Sequence, residues 1–233
     1  MLKVERVCKR FGEIHALNGV SFDVKEGELL GIIGPNGAGK TTLFGVISGF
    51  IKPDSGDVKL RGKSVVGKKP SQLVKMGLVR TFQIIRVFRH MTVQENIEVA
   101  CWNGKVGEIL KDMGLWDKRN MLAKNLSQGE LRRLSIGMAL ATDPKVLLLD
   151  EPFSGLSPKE AEELSKIIRN LHENGITQVI IEHRLKDLFD LTERVVVLNL
   201  GKVLFDGSPE EVVRNEKVIR AYLGNVDVAS GGS

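Results

Sequence analysis

The sequence predicts an α/β fold with a mixed sheet, and three observations support this. Apolar runs of strand length, such as Leu29–Ile33 and Val146–Asp150, precede stretches of helical period, a pattern typical of buried strands covered by helices. The segment Val58–Arg61 alternates apolar and polar residues, as strands of an antiparallel sheet do. The long segment from Ile84 to Ala141 carries no strand signal, so we expect a helical insert there.

Composition and charge describe an ordinary globular protein. The chain has 233 residues, of which 42% are hydrophobic and 27% charged, enough for one large domain. No run approaches the about 18 apolar residues of a membrane span, and the N-terminus lacks the apolar centre of a signal peptide, so we expect a cytoplasmic protein.

The cysteines and the basic residues carry no specific signal. Cys8 and Cys101 lack metal-ligand spacing, which predicts reduced thiols. The net charge of +5 would suit an anionic partner. However, no basic cluster is interleaved with aromatic residues, so we expect a solvated basic surface and no specific nucleic-acid binding.

The N-terminal part begins with two predicted strands, Leu2–Val7 and Val20–Val24. Between them lies Phe11, followed by the turn residue Gly12. An exposed aromatic ring at this position would stack on adenine, because every base presents a π-face. A phenylalanine that fills a small satellite core is the alternative, and the residues alone leave both open.

The stretch G-P-N-G-A-G-K-T follows a predicted buried strand and opens a predicted helix. It fits the pattern G-x-x-x-x-G-K-[ST] of the phosphate-binding P-loop. Its glycines let consecutive N–H groups point at a phosphate without Cβ clashes, and the helix N-terminus adds partial positive charge. Lys40 would reach the β- and γ-phosphates, and the Thr41 hydroxyl would bind Mg²⁺. The predicted nucleotide-binding residues are Gly34, Pro35, Asn36, Gly37, Ala38, Gly39, Lys40, Thr41 and Thr42.

A glutamine ends the next predicted strand. A turn cluster at Lys52–Asp57 and a short helix at Pro70–Met76 precede this strand, which runs from Gly77 to Gln83. The carboxyl ends of strands form the ligand crevice of α/β sheets, so Gln83 would touch Mg²⁺ or a water molecule there. A glutamine on a polar surface is the alternative.

The helical insert contains N-L-S-Q-G-E, Asn125–Glu130, directly before the amphipathic run Leu131–Ala141. Ser127 and Glu130 have the spacing of a capping box, which accounts for the motif locally. A second phosphate site is the alternative, because a hydroxyl, the flexible Gly129 and a helix N-terminus come together.

A second buried strand, K-V-L-L-L-D, ends in two acidic residues. This is the Walker B arrangement, in which Asp150 would hold Mg²⁺, usually through water. Glu151 follows at once and would polarise a water molecule against the γ-phosphate. A carboxylate base suits hydrolysis, where in-line attack needs an oriented water molecule.

The region after these acids predicts a helix and a strand. Ser157 is the predicted N-cap of a helix over Pro158–His172, with Glu160 three residues on. The predicted strand Thr177–Ile181 is followed by His183, which would hydrogen-bond a γ-phosphate. A structural or surface histidine is the alternative.

These motifs, in this order, resemble the nucleotide-binding subunits of the ATP-binding cassette (ABC) family, and the resemblance covers essentially the whole chain. It implies a P-loop NTPase (RecA-like) α/β core with an N-terminal antiparallel β subdomain and an inserted α-helical subdomain. Residues 1–233 would form one ABC ATPase domain, with 1–83 and 142–233 in the core and 84–141 in the helical subdomain.

The resemblance also implies roles for residues. ATP and Mg²⁺ would be the cofactors, with the metal at Thr41, Gln83 and Asp150 and adenine on Phe11. Catalysis would fall to Glu151, His183 and Gln83. The signature motif would be Leu126–Glu130, and its Ser127, Gln128, Gly129 and Glu130 would bind nucleotide. Two departures from the commonest pattern are Gln128 with Glu130, where Gly and Gln are more usual, and Ser157, where Asp often stands.

The family mechanism implies partners. Two cassettes, identical or related, would dimerise head to tail, so that ATP on one P-loop is capped by Ser127 and Gly129 of the other. The helical subdomain would grip transmembrane permease subunits, and a solute-binding protein would act indirectly. The expected location is therefore the cytoplasmic face of the inner (plasma) membrane, as a peripheral subunit.

Three segments are similar to the cassettes of branched-chain amino acid importers: Val79–Ile97, Ile181–Leu188 and Val218–Gly224. They imply a cassette that powers uptake of these amino acids. A cassette of a lipopolysaccharide or lipid export system is the alternative. A soluble ABC ATPase acting on nucleic acid or the ribosome is a further alternative, although such proteins normally carry two cassettes or a long linker.

Overall fold

The computed structural model describes residues 1–102 and 104–223. Gly224, the last residue of the segment V-I-R-A-Y-L-G, lies outside them. In chain order the described elements are β1 (Leu2–Phe11), β2 (Ile14–Val24), β3 (Leu29–Ile33), α1 (Lys40–Ile47), β4 (Ser55–Leu60), β5 (Lys63–Ser64), α2 (Pro70–Lys75), β6 (Leu78–Arg80), α3 (Val93–Ala100), α4 (Val106–Asp112), α5 (Gln128–Leu140), β7 (Val146–Asp150), α6 (Pro158–Glu173), β8 (Thr177–Ile181), α7 (Leu185–Phe189), β9 (Arg194–Asn199), β10 (Lys202–Gly207), α8 (Pro209–Arg214) and α9 (Glu216–Leu223).

The larger sheet has six strands in the order β10-β9-β3-β8-β7-β6. All neighbouring strands are parallel except β10, which pairs antiparallel with β9. Every residue of β3, β7 and β8 is buried, which explains why these strands are continuous apolar runs. The parallel arrangement brings the carboxyl ends of β3, β6, β7 and β8 to one edge of the sheet.

The smaller sheet is antiparallel, with the order β2-β1-β4-β5. Its first two strands are longer than the sequence predicted, because the pairs Arg10↔His15 and Phe11↔Ile14 extend the ladder to the hairpin turn. The polar residues near this turn hide the strand pattern. The predicted turn cluster is also partly wrong, since β4 begins at Ser55, which pairs with Cys8.

Two apolar clusters hold the layers together. One joins the smaller sheet to α1 and to one face of the larger sheet, and it includes Leu2, Val4, Leu43, Phe44, Val58 and Leu148. The other joins the opposite face to α6 and to the helices of the insert, and it includes Ile97, Leu110, Leu134, Leu147, Leu164 and Ile180. Burial of such side chains stabilises each interface by about 1.5–3 kcal/mol per residue relative to exposure.

Among the described residues between 84 and 141, the insert has no strand, and its regular elements are helices. It contains α3, α4 and α5, together with 3₁₀ turns at Trp116–Lys118 and Ala123–Asn125. The helix α5 begins at Gln128, directly after its N-cap Ser127, as the spacing of the capping box predicted. Within the described parts of the chain, no helix is both long and apolar enough to cross a membrane.

Two further elements differ from the prediction, the strand β6 and the helix α7. The strand β6 ends at Arg80 and does not reach Gln83, because the buried Arg132 guanidinium binds the carbonyls of Phe82 and Gln83 and holds them away from the ladder. The helix α7 was not predicted, since its five residues are too few to show a helical period.

Candidate functional site

The P-loop joins β3 to α1 and packs against two neighbouring strands. A Cβ on Gly34 would lie 2.2 Å from the carbonyl oxygen of Leu198 in β9. A Cβ on Gly39 would lie 2.3 Å from the carbonyl oxygen of Ala16 in β2, and Gly39 has a left-handed φ of 102°. Only glycine fits at these two positions, so the loop follows the backbone of β9 and β2 closely.

Lys40 places a cation inside this loop. Its Nζ donates to the carbonyls of Gly34, at 2.6 Å, and Pro35, at 3.0 Å, and the residue is buried. Burial lowers the pKa of Lys40, and the nearby carboxylate of Glu151 opposes that effect. Phosphate oxygens would replace the two carbonyls as stronger partners for this ammonium group. The loop therefore fits the phosphate groups of a nucleoside triphosphate.

Two side chains, from the segments after β6 and β8, meet at the carboxylate of Glu151, which follows β7. Gln83 Nε2 donates to Glu151 Oε2 at 2.6 Å, and His183 Nε2 lies 3.0 Å from Glu151 Oε1. Glu151 has a φ of 47°, uncommon for a residue other than glycine, and its N–H donates to Ile181 O at 2.9 Å. The three residues predicted to act in catalysis thus form one hydrogen-bonded group that surrounds a carboxylate.

Asp150 lies buried beside this group and is paired with a cation. Arg80 Nη2 lies 2.6 Å from Asp150 Oδ2, and both side chains are nearly inaccessible. The other carboxylate oxygen, Oδ1, accepts no hydrogen bond from residues 1–102 or 104–223. Arg80 also donates to Ser48 Oγ at 3.3 Å and stacks on the ring of Phe82.

The donor set fits Mg²⁺ rather than a metal bound by protein alone. In the described part of the chain, no group of three or more His, Cys, Asp or Glu side chains could hold a metal ion. Mg²⁺ takes oxygen ligands and often has one or two carboxylates, the rest being water and phosphate. The free oxygen of Asp150 and the exposed Thr41 hydroxyl are such ligands, whereas the Gln83 amide points to Glu151.

Phe11 lies at the end of β1, next to the hairpin turn. Its side chain is 49% exposed, so the alternative of a satellite core is wrong. Lys9 Nζ lies 5.4 Å from the centroid of its ring. The same hairpin also contacts the P-loop, through the carbonyl oxygen of Ala16 beside Gly39.

The capping box at the start of α5 is confirmed. Ser127 Oγ accepts from Glu130 N at 3.2 Å, and Glu130 Oε2 accepts from Ser127 N at 3.0 Å. A carboxylate from another helix also contacts this motif: Glu160 Oε1 accepts from Ser127 Oγ at 3.2 Å and from Gly129 N at 3.1 Å. Ser127 and Gln128 are exposed. The motif thus offers two donors to an anion, the Ser127 hydroxyl and the Gly129 N–H, and in this structure both donate to the Glu160 carboxylate.

A model of the ABC transporter family matches residues 17–154, more than half of the chain, and this stretch holds the P-loop, the α5 motif and Glu151. The chain belongs to the ABC transporter family. A second model, of the branched-chain amino acid ATP-binding cassette transporter, matches residues 202–228. This ABC cassette binds ATP and is an ATPase.

Several curated relatives of the cassette match along nearly their full length. The branched-chain amino acid transport ATP-binding protein LivG of Salmonella typhimurium is 40% identical, covering 96% of this chain and 98% of LivG. The corresponding protein BraF of Pseudomonas aeruginosa is 36% identical, with the same coverage. A probable LivG of Methanocaldococcus jannaschii is 36% identical, covering 96% of this chain and 97% of that protein.

Solved structures match the cassette equally well. The ADP conformation of MJ1267, an ATP-binding cassette of an ABC transporter, superposes with a TM-score of 0.89 at 34% identity, covering 96% of this chain and 98% of that chain. A dimeric post-hydrolysis state of the cassette MJ0796, bound to ADP and Pi, has a TM-score of 0.78 at 29% identity, covering 90% and 99%. The predicted ABC ATPase fold is confirmed.

Sequence reasoning missed Arg132, which joins α5 to the segment after β6. It lies on α5, is only 2% exposed, and donates to Phe82 O and Gln83 O, each at 3.0 Å. Burial lowers the pKa of Arg132, and the carboxylates of Glu182, Asp150 and Glu151 oppose that effect. The only signal in the sequence is a charged residue at a position of α5 that faces the core.

Proposed function

We propose that this cassette powers an importer of branched-chain amino acids by ATP-driven dimerisation and hydrolysis. The observation that carries the proposal is the match along nearly the whole chain to proteins that bear this name. The C-terminal match at residues 202–228 supports the same substrate class, because that family model bears the name too. Both observations favour import over the alternative of lipid export.

The proposed nucleotide site uses the residues predicted from the sequence. Adenine would stack on the exposed ring of Phe11, and the phosphates would lie in the loop from Gly34 to Thr42, with Lys40 donating to them. Mg²⁺ would be held by the Thr41 hydroxyl and Asp150, and it would neutralise charge on the β- and γ-phosphates. Gln83 lies close to this metal position, because its side chain donates to Glu151, the residue directly after Asp150.

In the proposed chemistry Glu151 accepts the proton of the attacking water molecule. Gln83 contacts one oxygen of the Glu151 carboxylate and His183 contacts the other, and these two contacts orient the base. When the imidazole of His183 moves away from Glu151, its Nε2 would donate to the γ-phosphate instead. Ser127 and Gly129 of a second cassette would complete the site by donating to the same phosphate. The dimeric state of the related cassette MJ0796 supports this arrangement.

The proposed partners are a second cassette, identical or related, and a pair of transmembrane permeases, with a solute-binding protein acting indirectly. The first part of the insert exposes large apolar side chains to solvent, which suits docking to membrane subunits: Ile84, Phe88, Val99 and Trp102. The cassette would then lie at the cytoplasmic face of the inner membrane as a peripheral subunit.

The partners can be tested by affinity capture from native membranes with the Glu151→Gln variant and Mg·ATP, followed by identification of the retained proteins. Retention of two polytopic permeases of an amino-acid importer is the expected result. A Lys40→Met variant serves as the matched control, since it should not bind ATP. Retention of export-type permeases would contradict the import proposal, and recovery of ribosomes or nucleic acid without membrane proteins would contradict the transporter itself.

The contact of Glu160 with the signature motif leads to a prediction about dimerisation. The Glu160 carboxylate accepts hydrogen bonds from Ser127 Oγ and Gly129 N, the two donors proposed for the γ-phosphate of ATP bound to the partner cassette. Its negative charge would also repel that phosphate. Adding Glu160→Gln to the Glu151→Gln variant should lower the ATP concentration needed for half-maximal dimerisation by about two- to fivefold, the range expected for exposed charges.

Analytical ultracentrifugation over a series of ATP concentrations measures this shift. The amide oxygen of the introduced glutamine can still accept from Ser157 N, so the cap of α6 is kept. Glu162→Gln is the matched control, because Glu162 lies on the same helix, is exposed and, among residues 1–102 and 104–223, forms its ion pair with Lys166 alone. An unchanged or higher ATP requirement for Glu160→Gln would rule out competition by the carboxylate.

A further inference from the structure

A buried carboxylate next to the catalytic group has no part in the mechanism above. Glu182 follows β8 and directly precedes His183, and only 2% of it is exposed. Its Oε1 accepts from Phe153 N at 2.8 Å. Its Oε2 accepts from the backbone N–H groups of His183, at 2.8 Å, and Arg184, at 3.1 Å. One side chain thus joins the loop after Glu151 to the loop that carries His183.

Arg184 joins the same two loops, but its side chain donates to backbone carbonyls, whereas the Glu182 side chain accepts from backbone N–H groups. Its Nη1 donates to Phe153 O at 3.2 Å and to Leu156 O at 3.3 Å, while its Nε lies 2.6 Å from Asp187 Oδ2. Together, Glu182 and Arg184 connect the two loops through backbone donors and backbone acceptors. The catalytic residues Glu151 and His183 each lie within two residues of these connections.

The three backbone donors indicate a carboxylate rather than a carboxylic acid or an amide. Burial and the nearby Glu151 carboxylate raise the pKa of Glu182, and the hydrogen bonds from Phe153, Arg184 and His183 offset only part of this increase. A protonated acid or an amide would direct an N–H or O–H at one of these donors, and the contact to one loop would be lost. The geometry therefore needs both oxygens as acceptors.

We propose that Glu182 is a positioning residue for ATP hydrolysis. It holds the backbone of His183 at a fixed distance from the loop after Glu151, so that His183 Nε2 stays within hydrogen-bond reach of the Glu151 carboxylate. This inference rests on the proposed function, because it acts through His183. Displacement of a catalytic group by about 1 Å can lower a rate by about 100-fold.

The test compares Glu182→Gln, His183→Ala and the double variant by kcat for ATP hydrolysis, together with the affinity for a fluorescent ADP analogue. Glu182→Gln should lower kcat by about 10- to 100-fold. Its affinity for the ADP analogue should stay within about twofold of the unchanged chain, because the P-loop does not contact Glu182. The double variant should be no slower than His183→Ala by more than about twofold, since residues that act through one another are not additive.

A merely structural role would give a different result. Gln178→Met is the matched control: Gln178 lies on the same strand β8, is buried, and makes one side-chain hydrogen bond, to Ile168 O. It should lower the unfolding midpoint without lowering kcat at 25 °C. If the effects of Glu182→Gln and His183→Ala multiply in full, or if Glu182→Gln leaves kcat unchanged, the inference is overturned.

Two further outcomes separate this inference from the proposed function. If Glu182→Gln does not fold, Arg184→Met breaks the connection from the other side and should show the same lack of additivity with His183→Ala. If the unchanged chain hydrolyses no ATP, or if His183→Ala keeps its full rate, the proposed mechanism fails and the inference fails with it. If His183→Ala is slow and the two effects multiply, only the inference fails.

Discussion

Replacing Glu151 with glutamine is expected to abolish ATP turnover while ATP-dependent dimerisation is kept. Glutamine has the shape of glutamate, and its amide oxygen can still accept from Gln83 Nε2, so the side chain keeps one of the two contacts that hold Glu151. It cannot take a proton from water, and the loss of a general base lowers rates by about 10²- to 10⁴-fold. The P-loop and the signature motif are untouched, so ATP should still join two cassettes.

Two measurements check this prediction. Phosphate release gives the turnover number, and analytical ultracentrifugation with Mg·ATP gives the fraction of dimer. The matched control is Glu193→Gln, since Glu193 is exposed and directly precedes β9, at the edge of the sheet opposite the carboxyl ends of the parallel strands, and it should behave as the unchanged chain. Loss of both turnover and dimerisation in Glu151→Gln would contradict the role of Glu151 as a base, because a base acts only in hydrolysis.

The motifs proposed to bind phosphate could be recognised in the sequence because each depends on local spacing. A P-loop needs a strand, glycines and a helix in one short stretch, and Ser127 with Glu130 needs only a three-residue interval. The structure then decides questions that a single residue leaves open. Phe11 is exposed, and Gln83 and His183 meet at one carboxylate because parallel strands end at the same edge of the sheet.

The connections between the motifs could not be predicted, because they join residues distant in sequence. Arg80 and Asp150 are 70 residues apart, and Arg132 reaches the backbone of Phe82 across 50 residues. In the sequence each is a charged residue like many others, and nothing indicates its partner. Backbone hydrogen bonds to side chains, such as those of Glu182, leave no mark on the partner's residue type at all.

The ion pair between Arg80 and Asp150 has a large expected effect on stability. Both side chains are nearly inaccessible, and removal of one partner leaves a buried charge without compensation. Breaking a buried pair in this way costs about 3–5 kcal/mol. Asp150→Ala is therefore expected to lower the free energy of unfolding by about that amount even without nucleotide, as measured by urea denaturation. The effect would come from Arg80, not from loss of the metal ligand.

An exposed ion pair and a double variant distinguish these explanations. Glu26→Ala breaks the exposed pair between Glu26 and Arg61 and should cost no more than about 1 kcal/mol. Arg80→Met with Asp150→Ala removes both buried charges and should recover much of the lost stability, since an apolar replacement of a buried pair is often neutral. If the double variant is as unstable as Asp150→Ala, the unpaired guanidinium is not the cause. If it recovers stability and still binds Mn·ADP weakly, the metal role of Asp150 is separated from its role in the fold.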